Sequence, residues 1–100
     1  MTNTQQKLKV TPRMKPVPKN HIVESEELIG QEIYLYDYWG GAVHTLNSGA
    51  AMVWLLCDGV RDLEEVAREM AAASSLSAEE VLPQVLETVT QFQSAGLLKE

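Results

Sequence analysis

Cysteine, phenylalanine and long apolar runs are what this sequence has least of. Cys57 stands alone, so one chain can build neither an internal disulfide nor a cysteine-rich metal site. No apolar run approaches the roughly 18 residues that a membrane helix needs. The amino terminus, MTNTQQKLKVTPRMKP, has no apolar segment of the kind found in secretory signals. A cytoplasmic location away from membranes is the expectation. One hundred residues make a single domain, able to bury roughly 60–68 % of its unfolded surface in one modest core.

Catalytic groupings are also missing. His21 and His44 lack partners at a metal-binding spacing, and Cys57 lies in an apolar helical stretch that makes a thiol inert. The carboxylate pairs Glu26-Glu27, Glu64-Glu65 and Glu79-Glu80 sit at element ends, where they favour solvent or helix amino termini. Gly40-Gly41 reads as a hairpin turn, without the spacing of a phosphate loop. The expectation is a protein that is not an enzyme, with no catalytic residue, no metal and no cofactor.

Charge is present but segregated. Residues 1–20 hold Lys7, Lys9, Arg13, Lys15 and Lys19 and no acid, while the rest sets fourteen acids against Arg61, Arg68 and Lys99. Pro12, Pro16 and Pro18 keep the basic segment out of helix and central strand, so residues 1–20 are expected as a flexible arm ahead of a domain over 21–100. Three strands and three helices also suit a winged-helix DNA reader. The last helix opposes that reading, because Glu79, Glu80 and Glu87 without a Lys or Arg would repel phosphates. Nucleic acid is not an expected partner.

From His21 to Leu46 the apolar period is two. Strands are expected at His21–Glu24, Glu32–Tyr38 and Ala42–Leu46, with turns at Ile29-Gly30-Gln31 and Gly40-Gly41. Short connections favour an antiparallel meander with the second strand central. In that strand Ile33 and Leu35 face one way and Tyr34, Tyr36 and Tyr38 the other.

The remainder is helical. Asn47 or Ser48 caps a first helix, whose body Ala50–Cys57 is apolar all round and so is expected at the centre of the fold, stopped by Gly59. Asp62 and Glu65 open an amphipathic second helix on Leu63, Val66, Ala67, Met70 and Ala71. Ser77 and Glu80 cap a third, which passes Pro83 with a slight bend and closes at Gly96 in a Schellman ending that pairs Phe92 with Leu97. The fold class is α+β, a three-stranded meander followed by three helices. On the third helix Val81, Leu82, Val85, Leu86, Val89 and Phe92 span roughly 140°, where about 100° is enough to face a core. Either both edges of that arc are buried by the first two helices and the sheet, or one edge lines a groove.

Leu46-Asn47, Ala50-Ala51, Val53-Trp54, Cys57-Asp58-Gly59, Leu63-Glu64-Glu65-Val66 and Ala95-Gly96-Leu97-Leu98, taken in this order and spacing, resemble the PqqD-like family over about residues 20–98. These are precursor-peptide recognition elements of pathways that make and modify ribosomal peptides. The chain departs from the family at an acidic residue common in the middle of its last helix, where Gln84 and Val85 stand. The resemblance implies a winged-helix-like fold that takes up a leader peptide as an added strand between strand three and helix three. It implies Val43, His44 and Thr45 as the strand, and Leu82, Val85, Leu86, Val89 and Phe92 as the wall. A modifying enzyme, such as a radical S-adenosylmethionine enzyme, would receive the peptide. The chain itself would be a monomer or weak homodimer. The alternative is a structural or regulatory subunit that docks on an enzyme through Tyr34, Tyr36 and Tyr38 and binds no peptide.

Overall fold

Period two makes strands here and period 3.6 makes helices, in the expected order. The structure is a computed structural model and describes residues 10–25 and 33–99. Strands β1 (Ile22–Glu24), β2 (Ile33–Asp37) and β3 (Val43–Leu46) precede helices α1 (Ser48–Leu56), α2 (Leu63–Ala72) and α3 (Ala78–Ser94). The sheet is antiparallel in the order β1-β2-β3, so both β1 and β3 are edges. The turn expected at Ile29-Gly30-Gln31 lies outside the described residues.

Alternation along β2 buries Ile33 and Leu35 and turns Tyr34 and Tyr36 to the other face. The β2–β3 hairpin is closed by Asp37, whose Oδ1 accepts from the N–H groups of Trp39 at 3.0 Å and Gly40 at 2.8 Å. A Cβ on Gly40 would lie 2.8 Å from Asp37 Oδ2, so a larger residue there would push the Asp37 carboxylate aside.

Each helix begins on the side chain the sequence offers. Asn47 Oδ1 accepts from Ala50 N–H at 2.9 Å, and both capping boxes form, Asp62 with Glu65 and Ser77 with Glu80. α3 continues through Pro83 and ends in a complete Schellman motif: Leu97 N–H donates to Phe92 C=O and Gly96 N–H to Gln93 C=O, each at 3.0 Å, with Gly96 at φ 75°. Phe92 and Leu97 are both buried as that motif favours, and Phe92 also meets Trp54 edge-on at 5.3 Å between ring centroids.

Two features differ from expectation. α1 is not enclosed. Ala51, Val53 and Trp54 are buried, but Met52 and Leu55 are 43 % and 55 % exposed. A three-stranded sheet and two further helices offer too little surface to cover a helix on every side.

Residues 10–20, expected as part of an arm, are bonded along the domain. Pro12 C=O accepts from Leu63 and Glu64 N–H at 3.0 and 3.2 Å, serving two of the donors that the first turn of α2 leaves without helical partners. Pro16 C=O accepts from Gly59 N–H at 3.0 Å, Val17 C=O from Lys99 N–H at 2.8 Å, and Lys19 N–H donates to Leu97 C=O at 3.0 Å. Val10 and Met14 pack on the core. Proline lacks a donor but keeps its carbonyl, so this segment is anchored mainly by acceptors, with one short antiparallel bridge between Pro18 and Leu98. Residues 1–9 lie outside the described residues.

Candidate functional site

Which backbone groups of β3 are free follows from register. Asp37 N–H donates to Ala42 C=O, so Asp37–Ala42 is a hydrogen-bonded pair. Such pairs recur at every second residue of an antiparallel ladder, which makes Leu35–His44 and Ile33–Leu46 bonded and Tyr36–Val43 and Tyr34–Thr45 non-bonded. Val43 and Thr45 therefore aim their N–H and C=O groups away from β2. Among the described residues nothing pairs with them. The edge also carries none of the usual guards, having no lysine and no proline from Val43 to Leu46.

This edge faces a groove of about 450 Å³ whose far wall is α3, through Gln91, Phe92 and Ala95, with Leu97 below and Asn47 and Ala50 at one end. A second hollow, of about 230 Å³, continues past Asn47, Ala50 and Gln91, which line both. Its floor is Val53, Met70 and Val85 and its α3 wall is Gln84, Thr88 and Gln91.

The expected site residues divide accordingly. Val43, His44, Thr45 and Phe92 meet in the groove. Val85 lies one hollow further on, at 1 % exposure. Val89 is fully buried in the core, and Leu82 lines a separate cleft between α2 and α3, with Glu64, Arg68 and Glu79. Leu86 is half-buried against the core and lines neither hollow. Helical geometry separates them: at about 100° per residue, Gln84, Thr88, Gln91 and Ala95 fall within about 60° of one another beside Phe92, whereas Leu82 and Leu86 lie on the opposite edge of the apolar arc. The missed wall was a stripe of small and neutral polar residues bordering the apolar one.

The outward face of the sheet is a second surface. Val23, Tyr36 and Val43 form one exposed cross-strand row, and Tyr38 and Trp39 beyond it are 72 % and 83 % exposed. Trp39 stacks on the His21 ring, with centroids 3.9 Å apart and planes 7° from parallel. His21 Nε2 lies 3.6 Å from Asp37 Oδ1. Asp37 is held below the ordinary carboxylate range, first by the hydrogen bond from Gly40 N–H, with further help from Trp39 N–H and the fields of His21 and His44. Burial pushes the Cys57 thiol up to about 12, so it stays protonated at neutral pH.

Among the described residues no cluster of three His, Cys, Asp or Glu side chains could hold a metal ion, and no helix is long and apolar enough to cross a membrane.

Comparison with known proteins bears on this geometry. The family model for coenzyme PQQ synthesis protein D (PqqD) matches residues 32–98, which takes in β2, β3 and all three helices. A solved structure of TbiB1 in complex with the TbiA(beta) leader peptide superposes with a TM-score of 0.71 at 18 % identity, over 82 % of this chain and 93 % of that one. Lasso peptide synthetase B1, complexed with the leader peptide, gives a TM-score of 0.74 at 15 % identity, over 87 % of this chain and 100 % of that one. At these identities the likeness is one of fold. No curated protein matches the chain.

Proposed function

The chain belongs to the PqqD family, and from that membership we propose that it is a non-catalytic adaptor that captures the leader of a precursor peptide by strand addition and presents it to a modifying enzyme. The observation that carries this reading is the unguarded β3 edge. Val43 and Thr45 offer two N–H and two C=O groups to an extended chain, and a groove of about 450 Å³ lies beside them. Main-chain bonds would supply affinity and the groove wall selectivity. The two similar structures named above both carry leader peptides, which supports the same assignment.

Holding the leader would make the encounter between the core of the precursor and an enzyme nearly intramolecular, at an effective concentration on the order of millimolar for a short linker. A radical S-adenosylmethionine enzyme is the kind of partner the family implies. The exposed row Val23, Tyr36 and Val43, with Tyr38 and Trp39, is the surface on which that enzyme would dock, since aromatic side chains dominate the anchors of such interfaces.

The test is titration with a synthetic leader of the precursor encoded beside this chain's gene. Binding with a micromolar or lower Kd is expected, and it should survive Tyr36→Ala. Absence of binding overturns the adaptor reading. Loss of the enzyme complex on Tyr36→Ala, with no peptide binding by the unsubstituted chain, establishes instead a docking subunit.

A further inference from the structure

A strand added to β3 has a second edge, and the composition of the far wall says how that edge is met. Every second N–H and C=O of the added chain would point away from β3, towards α3, where water is displaced. Such groups need partners. Gln91 stands there in the groove beside β3, and Thr88 and Gln84 continue its line along α3 in the hollow past Asn47; each can donate and accept, and none of their side chains bonds to another described residue. Along α3 they are spaced by about 6 and 4.5 Å at about 1.5 Å per residue. Outward groups on one edge of a strand recur every 6.6–6.8 Å or so, a difference that flexible side chains absorb.

Charge points the same way. About one residue in five of the chain is charged, 22 % in all, yet among the described residues neither hollow is lined by an Asp, Glu, Lys or Arg, and His44 is the one titratable side chain there. A charged side chain placed there would lose water and gain no counter-ion.

We propose that Gln84, Thr88 and Gln91 form a neutral rail that hydrogen-bonds the outer edge of the bound peptide, and that the paired hollows select an extended segment with uncharged side chains. The segment is short. From Gln84 to Ala95 the wall runs about 16 Å, which an extended chain covers in about five residues. One side chain enters the groove over Phe92 and Leu97. Another, past the end of β3, enters the hollow floored by Val53 and Met70.

This rests on the strand-addition reading, and the experiment separates the two. A random twelve-residue peptide library displayed on phage is selected on the full chain. One recovered peptide is then synthesised and titrated by fluorescence anisotropy into the unsubstituted chain, Thr45→Pro and the double variant Gln84→Ala/Gln91→Ala, each checked for folding by circular dichroism. Recovered peptides should share an uncharged core of about five residues. A Lys or Asp placed in that core should weaken binding at least about tenfold, and the double variant should do so by about tenfold, as expected for two neutral hydrogen bonds. A shared core that carries charge overturns the inference, as does undiminished binding to the double variant by a peptide that Thr45→Pro rejects. No enrichment, or peptides indifferent to Thr45→Pro, overturns the strand-addition reading itself.

Discussion

Proline at position 45 should weaken peptide capture and spare the fold. Thr45 sits opposite Tyr34 in a non-bonded pair, so its N–H is not part of the β2–β3 ladder. Its side chain is exposed, and edge strands tolerate proline where the donor faces solvent. Stability should therefore change by less than about 1 kcal/mol. Binding loses more. The missing donor removes one hydrogen bond, worth about 0.5–1.5 kcal/mol net, and leaves a peptide carbonyl desolvated without a partner at about 1–3 kcal/mol. The sum, about 1.5–4.5 kcal/mol, weakens binding roughly tenfold to about two-thousandfold.

His44→Pro is the matched control. His44 forms a bonded pair with Leu35, so proline there removes a ladder bond and leaves the Leu35 carbonyl without its donor, which should cost about 1–3 kcal/mol of stability. Urea unfolding followed by circular dichroism reads the stability of both variants, and fluorescence anisotropy with a labelled synthetic leader reads their affinity. If Thr45→Pro binds as the unsubstituted chain does, or unfolds as readily as His44→Pro, the register assignment of the β3 edge is refuted.

Three further outcomes follow from the fold. Gly96→Ala should cost about 1–2 kcal/mol, because φ is 75° there and a Cβ would meet nothing closer than Lys19 Nζ at 3.8 Å; a lower urea midpoint at unchanged slope is the expected readout. Asp62→Ala removes the cap of α2 and should lower stability by about 1 kcal/mol without altering peptide affinity. Cys57 should resist iodoacetamide at pH 8 in the native protein and react on unfolding. With its pKa raised from 9.0 to about 12 by burial, the unfolded chain releases this proton first, so the thiol's contribution is intact below pH 9 and is lost as pH rises towards 12.

The scaffold was legible because its signals are local. Asn47, Asp62 and Ser77 announce their helices one residue ahead, Gly40-Gly41 marks the hairpin, and Phe92, Gly96 and Leu97 spell out the end of α3. The edge position of β3 follows from short connections alone. The opposite wall was harder to see. An apolar arc on a helix says that something covers it, not what, and here the core takes Val85 and Val89 while neutral Gln91 borders the groove and Gln84 and Thr88 the hollow beyond it.

Met52 and Leu55 stand exposed for a related reason: hydrophobicity all round a helix does not supply the material to bury it. The course of residues 10–20 was hidden differently. Main-chain acceptors on Pro12, Pro16 and Val17 hold that segment, and a carbonyl leaves no trace in residue type.

Hydrogen exchange at single-residue resolution, with and without the synthetic leader, probes strand addition at its own atoms. Val43 and Thr45 amides, unpaired in the free chain, should become strongly protected on binding, while Leu35, His44 and Leu46, already in the ladder, change little. Protection that leaves Val43 and Thr45 untouched and appears instead at the β1 edge, at Glu24, would contradict capture by β3.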